Sequence, residues 1–145
     1  MTVEQFWNEY WISINEQAPP LPEAFQFGAD ANWLAQLVVD GKKTATCSGR
    51  IFYELENEQL PSVGQYNIVL NANDEPVAII QITSVEISPM NEVPESFVIA
   101  EGEGDYDDWW NAHVDFFTKA LAEYNMPYQE TISLVCERFA VLHTI

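Results

Sequence analysis

The stretch G-K-K-T-A-T-C-S-G-R, residues 41 to 50, holds Lys42, Lys43 and Arg50, three of the five cationic side chains in the chain. Only Lys119 and Arg138 lie elsewhere. Among the three stand the hydroxyls of Thr44, Thr46 and Ser48 and the thiol of Cys47, so nucleophiles and positive charge share one short segment. A helix C-terminus attracts cations through its dipole, which accounts for Lys42 and for Lys43. It accounts neither for Arg50 nor for the run of hydroxyls. A Walker loop needs G-x-x-x-x-G-K-[ST] ahead of a helix, and this stretch follows one. The segment is read as a functional site.

A second candidate is A-E-G-E-G-D-Y-D-D-W-W-N-A-H, residues 100 to 113. Glu101, Glu103, Asp105, Asp107 and Asp108 precede a helix, where its dipole favours anions, so a solvated acidic helix start is one reading. The other rests on Gly102 and Gly104, which let the backbone turn sharply and aim Glu103 at one of the scarce lysines. The glycine spacing is no dinucleotide fingerprint, and the carboxylates miss the EF-hand pattern. His113 lies on the aromatic face of that helix, either as a hydrogen-bonded core residue or as a proton carrier. In V-C-E-R-F, residues 135 to 139, a strand would set Cys136 and Arg138 opposite Val135 and Glu137, with Arg138 free to pair with a carboxylate. Cys47 and Cys136 read as small buried hydrophobes, and a Cys–His nucleophile pair is the weaker alternative. Neither cysteine sits in a C-x-x-C, so a structural zinc is not expected.

These residues need elements to hold them. Thr2 and Gln5 form a capping box for an N-terminal helix over about 3–16, with Phe6, Trp7, Tyr10, Trp11 and Ile14 at helical spacing. A-P-P-L-P-E-A-F then breaks the chain. Asp30 caps a second helix carrying Trp33, Leu34, Leu37 and Val38, closed by Gly41. T-A-T-C-S reads as a short strand. Y-N-I-V-L-N and P-V-A-I-I-Q-I-T-S-V-E-I flank a turn and read as a hairpin. Trp109, Trp110, His113, Phe116, Phe117, Ala120, Leu121 and Tyr124 mark an amphipathic helix. T-I-S-L-V-C-E-R-F-A-V-L-H-T-I reads as a closing strand. The order fits one α+β domain over 1–145 around a small sheet or barrel.

Composition narrows the partners. The chain has 145 residues, 48% apolar and 13% aromatic, enough for one real core, and a formal net charge of −18. A duplex binder usually carries a basic face, so double-stranded DNA is not expected; any nucleic-acid contact must be local and small. The N-terminus lacks a signal peptide's basic start, and no apolar run approaches the roughly 20 residues of a membrane span. Two cysteines without secretory context fit a cytoplasmic protein.

G-K-K-T-A-T-C-S after a helix, then a hairpin, then E-G-E-G-D with Trp and His downstream, then V-C-E-R-F, resembles the ASCH domain family from about Trp33 to Val141. The resemblance implies a small β-barrel similar to the PUA domain, flanked by helices, and an RNA-interacting protein. Some small bacterial members are amidohydrolases that deacetylate 4-acetylcytidine, and ribonuclease activity is also associated with the family. Carried over residue by residue, the catalytic Lys falls on Lys43, the Thr on Thr46, and the Glu on Glu103 or, with a looser alignment, Glu101. This chain departs from the amidohydrolases at Cys47-Ser48, where they run directly to an Arg that here comes at Arg50. Lys42, Ser48, Arg50, Glu101, His113 and Arg138 are then the expected substrate-binding residues.

On a strand, Thr44 and Thr46 share a face with Lys43 just off it. Thr46 would be the nucleophile, and Lys43 either a desolvated base or a charged group that polarises the carbonyl. The cations would hold an electron-rich nucleoside or a phosphate. The expected partner is a nucleoside or short single-stranded RNA, bound by a monomer or homodimer without metal or organic cofactor. A metal-independent ribonuclease using Lys43, Arg50 and Arg138 is the second expectation. A non-catalytic module stacking bases on Trp109 and Trp110 is the third.

Overall fold

In the computed structural model, which describes residues 1–145, the capping box of Thr2 and Gln5 opens helix α1 (Val3–Ser13). It ends at Ser13 rather than at residue 16, because Asn15 takes a left-handed φ of 58°. Asp30 caps α2 (Ala31–Val39) through the Trp33 amide, and Gly41 follows with φ +74°. Strand β2 (Ala45–Gly49) comes next, then the hairpin of β3 (Tyr66–Leu70) and β4 (Pro76–Pro89). The closing strand is β5 (Ser133–Thr144), and the long amphipathic helix is α5 (Tyr106–Ala122).

Three elements were not apparent in the residue pattern: β1 (Ala24–Gln26), α3 (Arg50–Leu55) and α4 (Glu95–Glu101). Each is too short to show a period, since the two helices complete fewer than two turns.

The strands form one mixed sheet in the order β1-β3-β4-β5-β2, antiparallel except for the β1–β3 pair. The architecture is α+β, but the sheet is open, in place of the expected barrel. Closure would require β1 to pair with β2. Spanning three residues, β1 meets β3 alone, and both end strands remain edges. No helix is long and apolar enough to cross a membrane.

Alternation along the strands sends apolar side chains to both faces, and helices cover each. On one face α2 contributes Leu34, Leu37 and Val38 to a cluster with Val69, Ile80 and Phe139. On the other, α1 brings Phe6, Trp7 and Trp11 onto Ile68, Leu70 and Ile79. Helices α4 and α5 pack Phe97, Trp109 and Phe117 against Ala45 and Cys136 of the β2–β5 pair. Each buried Val, Leu, Ile or Phe among these contributes about 1.5–3 kcal/mol by leaving water. Trp33 does not join this core; it is exposed, on the outer side of α2.

The α4 C-terminus is stapled to the segment entering β2. The Thr44 amide donates to the Ala100 carbonyl at 2.7 Å, and Gly102 ends the helix with φ +72°. A Cβ on Gly102 would sit 2.3 Å from the Lys42 carbonyl oxygen. Gly41, also left-handed, has nothing within 4 Å of such a Cβ. A left-handed alanine costs about 1–2 kcal/mol by itself. Gly41→Ala should lose that much, whereas Gly102→Ala should lose clearly more, lowering Tm by at least about 4 °C. Thermal denaturation of the two variants side by side checks this; equal losses would mean that the Gly102 contact does not hold α4 in place.

Candidate functional site

Lys43 leaves the end of α2 with its amide bonded to the Leu37 carbonyl and its side chain turned inward, 1% exposed. A lysine is almost never buried this far without partners. Its Nζ lies 2.8 Å from Oε2 of Glu103, 3.5 Å from Oε1 of Glu101 and 3.4 Å from the Glu101 carbonyl. Three oxygens therefore face the three ammonium protons. The Phe27 ring lies beneath, its centroid 5.2 Å from Nζ.

Glu101 is not part of a solvated helix start. It is the last residue of α4 and is buried, while Asp105 caps α5. Glu101 Oε2 accepts from the Trp109 indole N–H and lies 3.7 Å from both the Cys47 thiol and His113 Nε2. His113 Nδ1 is 2.7 Å from the Trp109 carbonyl, which can only accept, so Nδ1 carries a proton and Nε2 faces Glu101. The imidazole also stacks on the Trp109 ring at 4.3 Å. Burial lifts the Glu101 carboxyl above the usual carboxylate range, and the neighbouring Lys43 and His113 oppose the shift. Burial, reinforced by Glu101, pushes the Cys47 thiol well up, so it stays protonated. That disfavours a cysteine nucleophile.

These groups line the deep end of a cleft. A cavity of about 100 Å³ is bounded by Lys43, Glu101, Glu103 and His113. A wider one of about 430 Å³ is bounded by Glu23, Phe25, Ser48, Tyr53, Asn67 and Glu137. Both are lined by Phe27, Gly28, Thr46, Cys47 and Phe116, so they are two lobes of one cleft with Thr46 at the neck. Thr46 is the second residue of β2, directly opposite Glu137 on β5. The Ser48 hydroxyl, two residues on, is engaged with Tyr53 Oη at 2.8 Å.

Two of the three cations of segment 41–50 stay outside the cleft. Lys42 is exposed, and Arg50 is exposed at the start of α3. Arg138 pairs with no carboxylate; its guanidinium lies 5.4 Å from the Phe97 ring, on the α4 side of the sheet. Trp109 is 1% exposed and offers no free face, and Trp110 stacks on Tyr106. Only Lys43 brings positive charge to the cleft, whose wide lobe carries Glu23, Glu56, Glu58 and Glu137. Glu137 was visible in V-C-E-R-F only as a residue opposite Cys136; its use depends on which face of the strand is open. Burial lifts its carboxyl to about 7.

Cys47, Glu101 and His113 place ligand atoms within 4.8 Å of one another, a spacing that one metal ion could span. The fit is poor. The thiol is held protonated, the Trp109 indole occupies Glu101 Oε2, and the Lys43 ammonium stands at Oε1.

A family model described as the ASCH domain matches residues 23–143. The crystal structure of a protein from Enterococcus faecalis superposes with a TM-score of 0.87 at 43% identity, covering 96% of this chain and 86% of the other. That of an ASCH domain from Lactobacillus crispatus gives 0.84 at 33% identity, covering 95% and 92%. An ASCH protein from Zymomonas mobilis, at 11% identity and TM-score 0.55, covers 85% and 70% and shares the fold. No curated protein matches the chain.

The Glu137 shift has a sign that can be tested. A carboxyl near 4.5 when unfolded and about 7 when folded is held in its neutral form by folding. Its stabilisation is complete below pH 4.5 and is lost as pH rises toward 7. Glu23, Glu58 and Tyr53 stand around the same lobe, so the comparison must be with a neutral isostere. Relative to wild type, Glu137→Gln should gain Tm progressively from pH 4.5 to pH 7.5. Parallel Tm profiles would show that Glu137 titrates as an ordinary surface carboxyl.

Proposed function

The chain belongs to the ASCH domain family, and on that premise we propose that its cleft hydrolyses the N-acyl group of a modified nucleoside of the 4-acetylcytidine kind. The observation that carries this reading is the pairing of buried Lys43 with Glu103 at the deep end of a cleft whose neck is Thr46.

In this reading the acyl carbonyl lies at the neck. Thr46 Oγ1 adds to the carbonyl carbon, and its proton passes to Glu103 in the pair with Lys43. The Lys43 ammonium stabilises the oxyanion, as a preorganised charge in a water-poor site does well. Glu103 returns that proton to the departing nitrogen as the C–N bond breaks, which frees the nucleoside. Water then hydrolyses the acyl-threonine ester, releasing the carboxylic acid and restoring the hydroxyl. Lys43 serves as an electrostatic stabiliser more readily than as a free base, because acceptors surround it. Glu103, with 17% of its side chain exposed, is the carboxylate closer to solvent; Glu101 is a positioning residue that holds Lys43, Trp109 and His113 together.

An uncharged nucleoside suits this cleft better than a long RNA. Phosphate recognition needs cations, and Lys42, Arg50 and Arg138 lie outside the cleft while carboxylates line its wide lobe. Short single-stranded RNA remains a partner only if one extruded nucleoside enters and the backbone stays outside. We take residues 1–145 as one functional unit acting in the cytoplasm, the two free cysteines staying reduced.

Chromatography of 4-acetylcytidine after incubation with the protein tests the proposal. Wild type should release cytidine and acetate. Lys43→Ala and Thr46→Ala should each lower kcat/KM by at least about 10²-fold. Intact substrate at high enzyme concentration would overturn the reading, and cleavage of labelled RNA without added metal would replace it with ribonuclease action.

A further inference from the structure

The wide lobe contains a polar group that the proposed chemistry does not use. Glu137 lines it with its side chain half-buried, directly opposite Thr46 in the β2–β5 register. Directly opposed residues on antiparallel strands hold their Cβ atoms about 4.5–5.5 Å apart on the same face. Nothing in the chain satisfies this carboxyl. Desolvation alone acts on it, with no cation and no hydrogen-bond donor to offset the cost. The carboxyl lines the open lobe and makes no bond within the chain, so both its oxygens are free to meet a ligand there. Flat apolar surface flanks the position, with Phe25, Phe27 and Phe52 among the lining residues. Two of the neighbouring polar side chains are already engaged, Ser48 with Tyr53 and Asn67 with Gln65 and the Glu23 carbonyl.

We propose that Glu137 is the base-reading residue of the cleft, binding as a neutral carboxylic acid the edge of an aminopyrimidine that pairs a ring-nitrogen acceptor with an exocyclic N–H donor. A carboxylic acid offers one O–H donor beside one carbonyl acceptor, the complement of that edge. The O–H donates to the ring nitrogen, and the carbonyl oxygen accepts from the exocyclic N–H. An acyl group on that exocyclic nitrogen is then carried past Glu137 toward the adjacent strand, where Thr46 stands. The proton is available because burial keeps the carboxyl neutral up to about pH 7. Glu23 and Glu58 in the same lobe, and the Tyr53 hydroxyl, supply no positive charge that would remove it. This inference deepens the deacylation reading and rests on it for the placement of the acyl group, but the recognition step is separable.

Calorimetric binding of cytidine and of 3-deazacytidine, in which a C–H replaces the ring nitrogen, tests it without turnover. Wild type should bind cytidine about ten- to a hundredfold more tightly than 3-deazacytidine, the range expected for one bidentate polar contact. Glu137→Leu should lose that discrimination by binding cytidine as weakly as the deaza analogue. Glu137→Gln, whose amide presents the same donor and acceptor, should restore it to within a few-fold. Equal binding of the two nucleosides by wild type, no cytidine binding at all, or full discrimination in the Leu variant would each overturn the assignment. With 4-acetylcytidine as substrate, Glu137→Leu should raise KM and change kcat little, whereas Thr46→Ala should abolish turnover. Binding that discriminates without any turnover would sink the deacylation reading and leave the base-reading role standing.

Discussion

A buried ammonium has to be surrounded by acceptors, and much of the molecule is arranged around meeting that demand for Lys43. Removing either member of such a pair leaves the other charge stranded, at a cost of about 3–5 kcal/mol. The acceptors come from one short run, Glu101 to Glu103, and that run is held by contacts that have no chemistry of their own. Gly102 lets α4 end against the Lys42 carbonyl, the Thr44 amide ties the same turn to β2, and the Trp109 indole fixes Glu101 from α5. Two regions distant in sequence, the α2–β2 junction and the α4–α5 junction, thus converge on one nitrogen atom. Trp109 serves both core and site: its ring fills the cluster between α5 and the sheet, and its N–H orients a carboxyl.

Charge distribution within the cleft follows a different logic from charge distribution along the chain. Clustering of Lys42, Lys43 and Arg50 in sequence suggests a cationic pocket, yet adjacent residues at a helix end point different ways, and Arg50 begins a new helix. What reaches the cleft is one ammonium matched by two carboxylates, and beyond it a lobe with further carboxylates. The local field is therefore neutral to negative, as in the chain as a whole. Such a field favours ligands read through shape, stacking and hydrogen-bond direction over ligands read through charge.

Much of the framework was legible in the residues. Capping at Thr2 and Asp30, the β3–β4 hairpin and the α5 stripe carry strong local signals, and each forms the element its signal implies. The Lys43–Glu103 contact was legible too, because two flanking glycines and a shortage of lysines leave few other pairings. What stayed hidden depends on long-range pairing. Sheet closure is decided by the length of β1, a strand of three residues with no alternation to read. Glu101 looked like a helix-start acid because α4 is too short to display a period. Glu137 had no visible role until the strand beside β5 was known to be β2 and the face they share was known to be uncovered.

The β2–β5 pair has one more consequence, in the order of assembly. Thr46 meets Glu137 across the strands, and a loop spanning most of the chain must close before they do. Contacts this far apart in sequence are slow to form, because the entropy of closure is spent before any pairing rewards it. On the ribosome, α1, α2 and the β3–β4 hairpin can condense while β5 is still unmade, leaving β2 with no partner in the sheet. A nascent chain therefore carries a half-built cleft and an unpaired strand until its last element arrives.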